Sequence, residues 1–197
     1  MSTLRYVTHP QVRVSADVPV PRWGLTDHGR ARAALLCDRP WWAATTRLVS
    51  SDETKALETA AIVAAHTGLT IEVRAALHEN DRSSTGFVPS DRFEQLADEF
   101  FASPDRSVEG WESARDAQRR IVDGTADLLA DGEGDVAVCG HGAVGTLLLC
   151  HLLQVPISRT EDQNGPDAAP GGGNVWAFDR RTRRVVHRWR PFESSAS

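Results

Sequence analysis

Between Leu4 and Thr8 branched or aromatic residues alternate with polar ones, the period-two pattern of a strand, and Pro10 halts it because proline donates no ladder hydrogen bond. His9 is therefore expected at the C-terminal end of a strand. Residues 11–24 read as loop, and Leu25-Thr26-Asp27 offers an N-cap hydroxyl before a helix to about Asp38. Arg47 to Val49 is a short strand, after which Ser50 and Ser51 are read as caps for a helix from Asp52 to about His66. Ala56, Thr59, Ala60, Ile62 and Val63 form its apolar face, and Gly68 ends it. Thr70 to Val73 predicts another strand, leading into Leu77-His78-Glu79.

Residues 80–109 are polar and turn-rich, with a short helix from about Asp91 to Phe101, and read as a segment inserted over a site. Trp111, Ala114, Ala117, Ile121, Thr125 and Leu128 recur at helical spacing, giving an amphipathic helix to about Ala130. A strand from Asp135 to Cys139 runs through Gly140-His141-Gly142 into an apolar helix, Ala143 to Leu153. After a glycine-rich loop, Gly165 to Gly173, a hairpin at about 174–190 closes the chain at the sheet edge. Alternating strands and helices predict one α/β domain over residues 1–197, a three-layer α/β/α sandwich with a mostly parallel sheet. Ligands of such sheets bind beyond the C-terminal strand ends. His9, His141 and the helix start near Ser51 share that edge.

Composition narrows the chemistry. The net charge of −5 argues against a nucleic-acid surface, and no apolar run approaches membrane-spanning length. Three cysteines without paired spacing predict neither a disulfide framework nor zinc, so a reducing, cytoplasmic setting without a signal peptide is expected. Lys55 is the only lysine. Arg180, Arg181, Arg183 and Arg184 read as a solvated hairpin turn, Trp41-Trp42 as packing, and His28, His66, His78, His151 and His187 as structural.

The ordered set Thr8-His9-Pro10, Leu25-Thr26-x-x-Gly29, Ser50-Ser51-x-x-x-Lys55-Ala56-x-x-Thr59-Ala60, Leu77-x-Glu79 and Gly140-His141-Gly142 resembles the histidine phosphatase superfamily, the phosphoglycerate-mutase-like proteins. Asn174-Val175 is also similar. The resemblance implies that His9 is a nucleophile accepting a phosphoryl group, Glu79 the acid that protonates the leaving oxygen, and His141 a holder of phosphate oxygens. It implies no cofactor or metal, and a small phosphorylated substrate as partner. Such chemistry needs donors around the anion, which helix N-termini after Ser51 and Gly142 are expected to supply.

The sequence departs from the family pattern where charge matters most. Thr8 and Pro10 stand in place of the arginine and glycine that flank the nucleophile, Lys55 in place of a second arginine, and Ser15 in place of an asparagine. A charge-assisted hydrogen bond contributes roughly 1.5 to 3 kcal/mol, so one lost arginine costs about ten- to a hundredfold in rate. Arg13 and Arg82, on loops, are candidates to restore the charge. The leading expectation is a metal-independent phosphomonoesterase; the alternative is an impaired relative that binds an anionic ligand or a partner protein. Gly140-x-Gly142-x-x-Gly145 also matches a dinucleotide fingerprint, but it comes late in the chain and no clear strand ending in an acidic residue follows about 20 positions on. Cys139 lies inside a strand, a poor place for a nucleophile.

Overall fold

The computed structural model describes residues 2–163, 168–169 and 171–194. In chain order it contains β1 (Thr3–Thr8), α1 (Asp27–Ala34), β2 (Thr45–Ser50), α2 (Thr54–Thr67), β3 (Ile71–Val73), α3 (Ser90–Ala102), α4 (Ala114–Leu129), β4 (Asp135–Gly140), α5 (Gly142–Leu153), β5 (Asn174–Asp179) and β6 (Arg184–Pro191). The six strands form one sheet in the order β3-β2-β4-β1-β5-β6. β1, β2, β3 and β4 pair in parallel, and β5 and β6 add as an antiparallel hairpin. The fold is mixed α/β, with helices flanking a mostly parallel sheet.

Side-chain alternation sorts the core onto two faces. Leu4 and Tyr6 of β1, Val136 and Val138 of β4, and Trp176 and Phe178 of β5 pack with Ile121 and Leu128 of α4 and Val144, Leu147 and Leu148 of α5. The intervening residues Val7, Leu48, Ala137 and Cys139 pack with Leu36, Trp42, Ala60, Val63 and Phe192 on the other side. Covered on both faces, β4 is buried at all six positions, which explains its apolar run. Each large side chain so buried contributes about 1.5 to 3 kcal/mol.

Most termini follow the local chemistry read from the sequence. Thr26 caps α1, its hydroxyl accepting from the Gly29 N–H, and a 3-10 turn over Leu35–Asp38 carries the helix on. Gly68 ends α2 in the left-handed region at φ 75°. Ser51 is a correction: α2 begins at Thr54 with Glu53 at the N-cap, and the Ser51 hydroxyl accepts the Glu53 N–H while facing His141. Arg180 is another. It is 4 % exposed and donates to the carbonyls of Leu128, Ala130, Gly132 and Gly134, closing the C-terminus of α4, where cations are favoured. Arg183 bonds the Leu129 carbonyl, whereas Arg181 and Arg184 are exposed as expected. The glycine-rich loop lies partly outside the described residues. No helix among the described residues is long and apolar enough to cross a membrane.

Candidate active site

Strand pairing brings the two histidines together. β1 and β4 are parallel neighbours with Thr8 opposite Gly140, so the next residues, His9 and His141, leave adjacent strand ends side by side. Their ring centroids are 5.4 Å apart at 67°. β2 lies on the other side of β4, and the Ser51 N–H bonds the Cys139 carbonyl, setting Ser51 Oγ 2.8 Å from His141 Nε2. Behind this row Tyr6, stacked on Trp176, accepts the His141 backbone N–H at 3.0 Å. A Cβ on Gly140 would stand 2.2 Å from Tyr6 Oη, so only glycine lets the tyrosine reach the His141 backbone.

The imidazoles are neutral. His9 is pushed down to about 4, by burial first and then by the Lys55 charge, and His141 is held well below the usual histidine range for the same two reasons. His9 Nδ1 lies 2.9 Å from the Pro10 carbonyl. A carbonyl only accepts, so Nδ1 carries the proton and Nε2 keeps its lone pair. His141 is wholly buried and its Nδ1 has no partner among the described residues.

Glu79 occupies the N-terminus of α5. Its carboxyl accepts the N–H groups of Ala143 (3.3 Å) and Val144 (3.1 Å), and also that of Asn80 (3.1 Å). These donors pull its pKa down, but burial and then the neighbouring Glu53 carboxylate raise it, and they prevail. The α5 terminus expected to hold an anion is thus already filled by a side chain, which also leaves no room at Gly140-x-Gly142-x-x-Gly145 for a dinucleotide pyrophosphate. Arg120 fixes the approach to Glu79, donating to the carbonyls of Ala76, His78 and Glu79 while paired with Glu112.

Lys55, 3 % exposed, donates to the Val20 carbonyl at 3.1 Å and pairs with Glu53, 6 % exposed. Glu53 Oε1 also accepts the Glu79 N–H at 2.8 Å and lies 3.7 Å from His141 Nε2. A cavity of about 400 Å³ adjoins this cluster, lined by Glu53, Glu79, Arg82, His78 and the apolar Pro19-Val20-Pro21 turn among others. The Arg82 guanidinium lies over the rings of Phe93 (4.7 Å) and Trp23 (5.9 Å). It has no hydrogen-bonded or ion-paired partner among the described residues. Burial pulls its pKa down, against the attraction of Glu79 and Glu53.

The remaining predicted residues fall elsewhere. Thr8 is buried, its hydroxyl donating to Gln163 Oε1 (2.8 Å) and accepting the Asn174 N–H (3.0 Å), so it does not line the cavity. Arg13 and Ser15 line a separate depression with Arg22, Arg30 and Glu58, because the Arg13 N–H to Gly24 carbonyl bond turns this loop away. His78, read as structural, lines the cavity. Glu53, Arg120 and Gln163 were not singled out from the sequence; only the position of Glu53, two before Lys55 in the motif, was a usable signal. Cys139 is buried and pushed up to about 12 by burial, consistent with an inert thiol.

The family model described as histidine phosphatase superfamily (branch 1) matches residues 11–189. The chain belongs to that superfamily. The match begins just after Thr8-His9-Pro10. Among solved structures, a mycobacterial glucosyl-3-phosphoglycerate phosphatase in complex with inorganic phosphate is 19% identical with a TM-score of 0.76, covering 99% of this chain and 100% of its own. Bacillus stearothermophilus YhfR is 20% identical with a TM-score of 0.78, covering 99% and 98%. At such identity the likeness carries the histidine phosphatase fold alone. A search of curated proteins found no match.

Proposed function

We propose that the protein is a phosphomonoesterase working through phospho-His9 without a metal, on small phosphorylated molecules, as one cytoplasmic domain. The supporting observation is His9 with its pKa lowered to about 4, its Nδ1 proton tied to the Pro10 carbonyl and its Nε2 without a hydrogen-bond partner among the described residues, beside His141 at 5.4 Å between ring centroids. Nε2 attacks phosphorus and the N–P bond forms as the ester P–O bond breaks. Glu79, whose hold on a proton burial strengthens, gives that proton to the leaving oxygen. As carboxylate it then takes a proton from the water that hydrolyses phospho-His9, releasing phosphate and restoring both groups. Arg82 neutralises phosphoryl oxygens and His141 Nδ1 holds one. Three free cysteines suit a reducing compartment.

The test is hydrolysis of a phosphate-ester panel by wild type and His9→Ala with chelator present. Turnover lost in the variant supports the reading; equal turnover in both refutes it. A second reading, an anion-binding relative without turnover, is favoured by one observation: Lys55 is engaged by Glu53 and Thr8 by Gln163 and Asn174, so neither motif position offers an unshared cation. Phosphate binding with no turnover in wild type would select it.

A further inference from the structure

Glu53 has no role in the mechanism above, yet it stands at its centre. Its carboxylate lines the cavity and lies 3.7 Å from His141 Nε2. A carboxylate has about four acceptor positions. The Glu79 N–H and Lys55 Nζ use two of them, leaving Glu53 able to accept further hydrogens from whatever fills the pocket. Resting on the phosphatase reading, we propose that Glu53 is a specificity-determining residue: it accepts the P–O–H hydrogen of a singly protonated phosphate, so the pocket takes the phosphoryl group as its monoanion and rejects fully ionised tetrahedral anions.

The charges around the pocket bear on the same choice. The titratable and charged groups lining the pocket are Asp52, Glu53, His78, Glu79, Asp81 and Arg82, with Lys55 and His141 against Glu53 and His9 beside His141. The Glu53 charge is balanced by that of Lys55, burial raises the pKa of Glu79, and burial lowers those of both His9 and His141. Arg82 then shares the lining with Asp52 and Asp81, so a ligand carrying one negative charge meets less repulsion than one carrying two. A dianion without a hydrogen to donate meets the Glu53 lone pairs as repulsion, a loss that a charge-assisted hydrogen bond turns into a gain for the protonated ligand.

Inorganic phosphate and sulfate are tetrahedral anions of closely similar size, and at about pH 5, below the second ionisation of phosphate, only phosphate carries a hydrogen to donate. Calorimetric titration of the purified full chain at that pH should show phosphate binding about tenfold or more tighter than sulfate. In Glu53→Gln that ratio should fall below about threefold, with sulfate gaining. Because that variant leaves Lys55 buried without its partner, the double variant Glu53→Gln/Lys55→Met, which leaves no unpaired buried charge, should lose the discrimination in the same way. A ratio unchanged in both variants, with binding intact, overturns the role of Glu53 and leaves the phosphatase reading standing. If neither anion binds the wild type, both fall.

Discussion

Replacing Arg82 by methionine removes the one cavity-lining guanidinium without a hydrogen-bonded or ion-paired partner among the described residues, while retaining an apolar stem against Phe93 and Trp23. In the proposed mechanism its donors meet the phosphoryl oxygens as the N–P bond forms. Two charge-assisted hydrogen bonds of roughly 1.5 kcal/mol each give about 3 kcal/mol, or about a hundredfold in kcat/KM. The loss to the fold is far smaller. No ion pair is broken, and the two cation–π contacts together account for about 1 to 2 kcal/mol, a fall in Tm of a few degrees. Arg13→Met is the matched control, since Arg13 lines a separate depression and should leave kcat/KM within about twofold of wild type. Steady-state kinetics on the best ester of the panel, with phosphate inhibition measured in parallel, separates the two. Arg13→Met losing activity while Arg82→Met keeps it would refute the assignment of the pocket's charge to the inserted segment.

The pH profile should fall on both sides. On the acid side activity drops as His9 is protonated near pH 4, and on the alkaline side as Glu79, raised from its usual range, loses its proton; Glu79→Gln should depress kcat and abolish the alkaline limb. In stability, His9 is lowered in the fold, so the unfolded chain binds more protons between about 4 and 6.5, and urea midpoints at acid pH should fall less in His9→Gln than in wild type. Gly140→Ala places a methyl group 2.2 Å from Tyr6 Oη, against the hydroxyl end of the buried ring; an overpacking cost of about 1 to 3 kcal/mol should lower the melting temperature by several degrees, and an unchanged Tm would disprove the close approach.

The elements were legible because strands carry period-two or apolar runs and helices a 3.6-residue one, with local terminators such as Pro10 after β1 and Gly68 after α2. The histidine pair was legible because each histidine follows such a strand, and parallel neighbours deliver both to one edge. What could not be read is the pairing of charged side chains. Glu53 and Lys55 are two apart in sequence, a spacing that on a regular helix points them different ways; they meet because Glu53 is still at the N-cap, in extended backbone, when Lys55 has entered α2. Arg13 and Arg82 were equivalent as loop cations until the Arg13–Gly24 and Val12–Leu25 bonds folded one loop away from the cavity. Arg180 looked solvated because a run of hairpin arginines ordinarily is, and nothing local announces the carbonyls at the end of α4.

These observations bear on position 8, beside the proposed nucleophile His9, where the family resemblance leads one to expect arginine. Thr8 is turned into a buried network with Gln163 and Asn174, and that network ties β1 to β5 and to the segment after α5. A charged side chain there would have to break it or be buried unpaired, so position 8 now serves the sheet. In the proposed site the charge for an anion comes instead from Arg82, on the segment between Glu79 and α3, framed by Phe93 of α3 and Trp23 of the loop before α1. In the proposed enzyme, binding therefore depends on inserted loops, while the nucleophile and acid stay on the sheet and at the start of α5. Changes in residues 80–93 should alter KM and substrate choice with less effect on His9 chemistry, a separation that an arginine held on β1 would not permit.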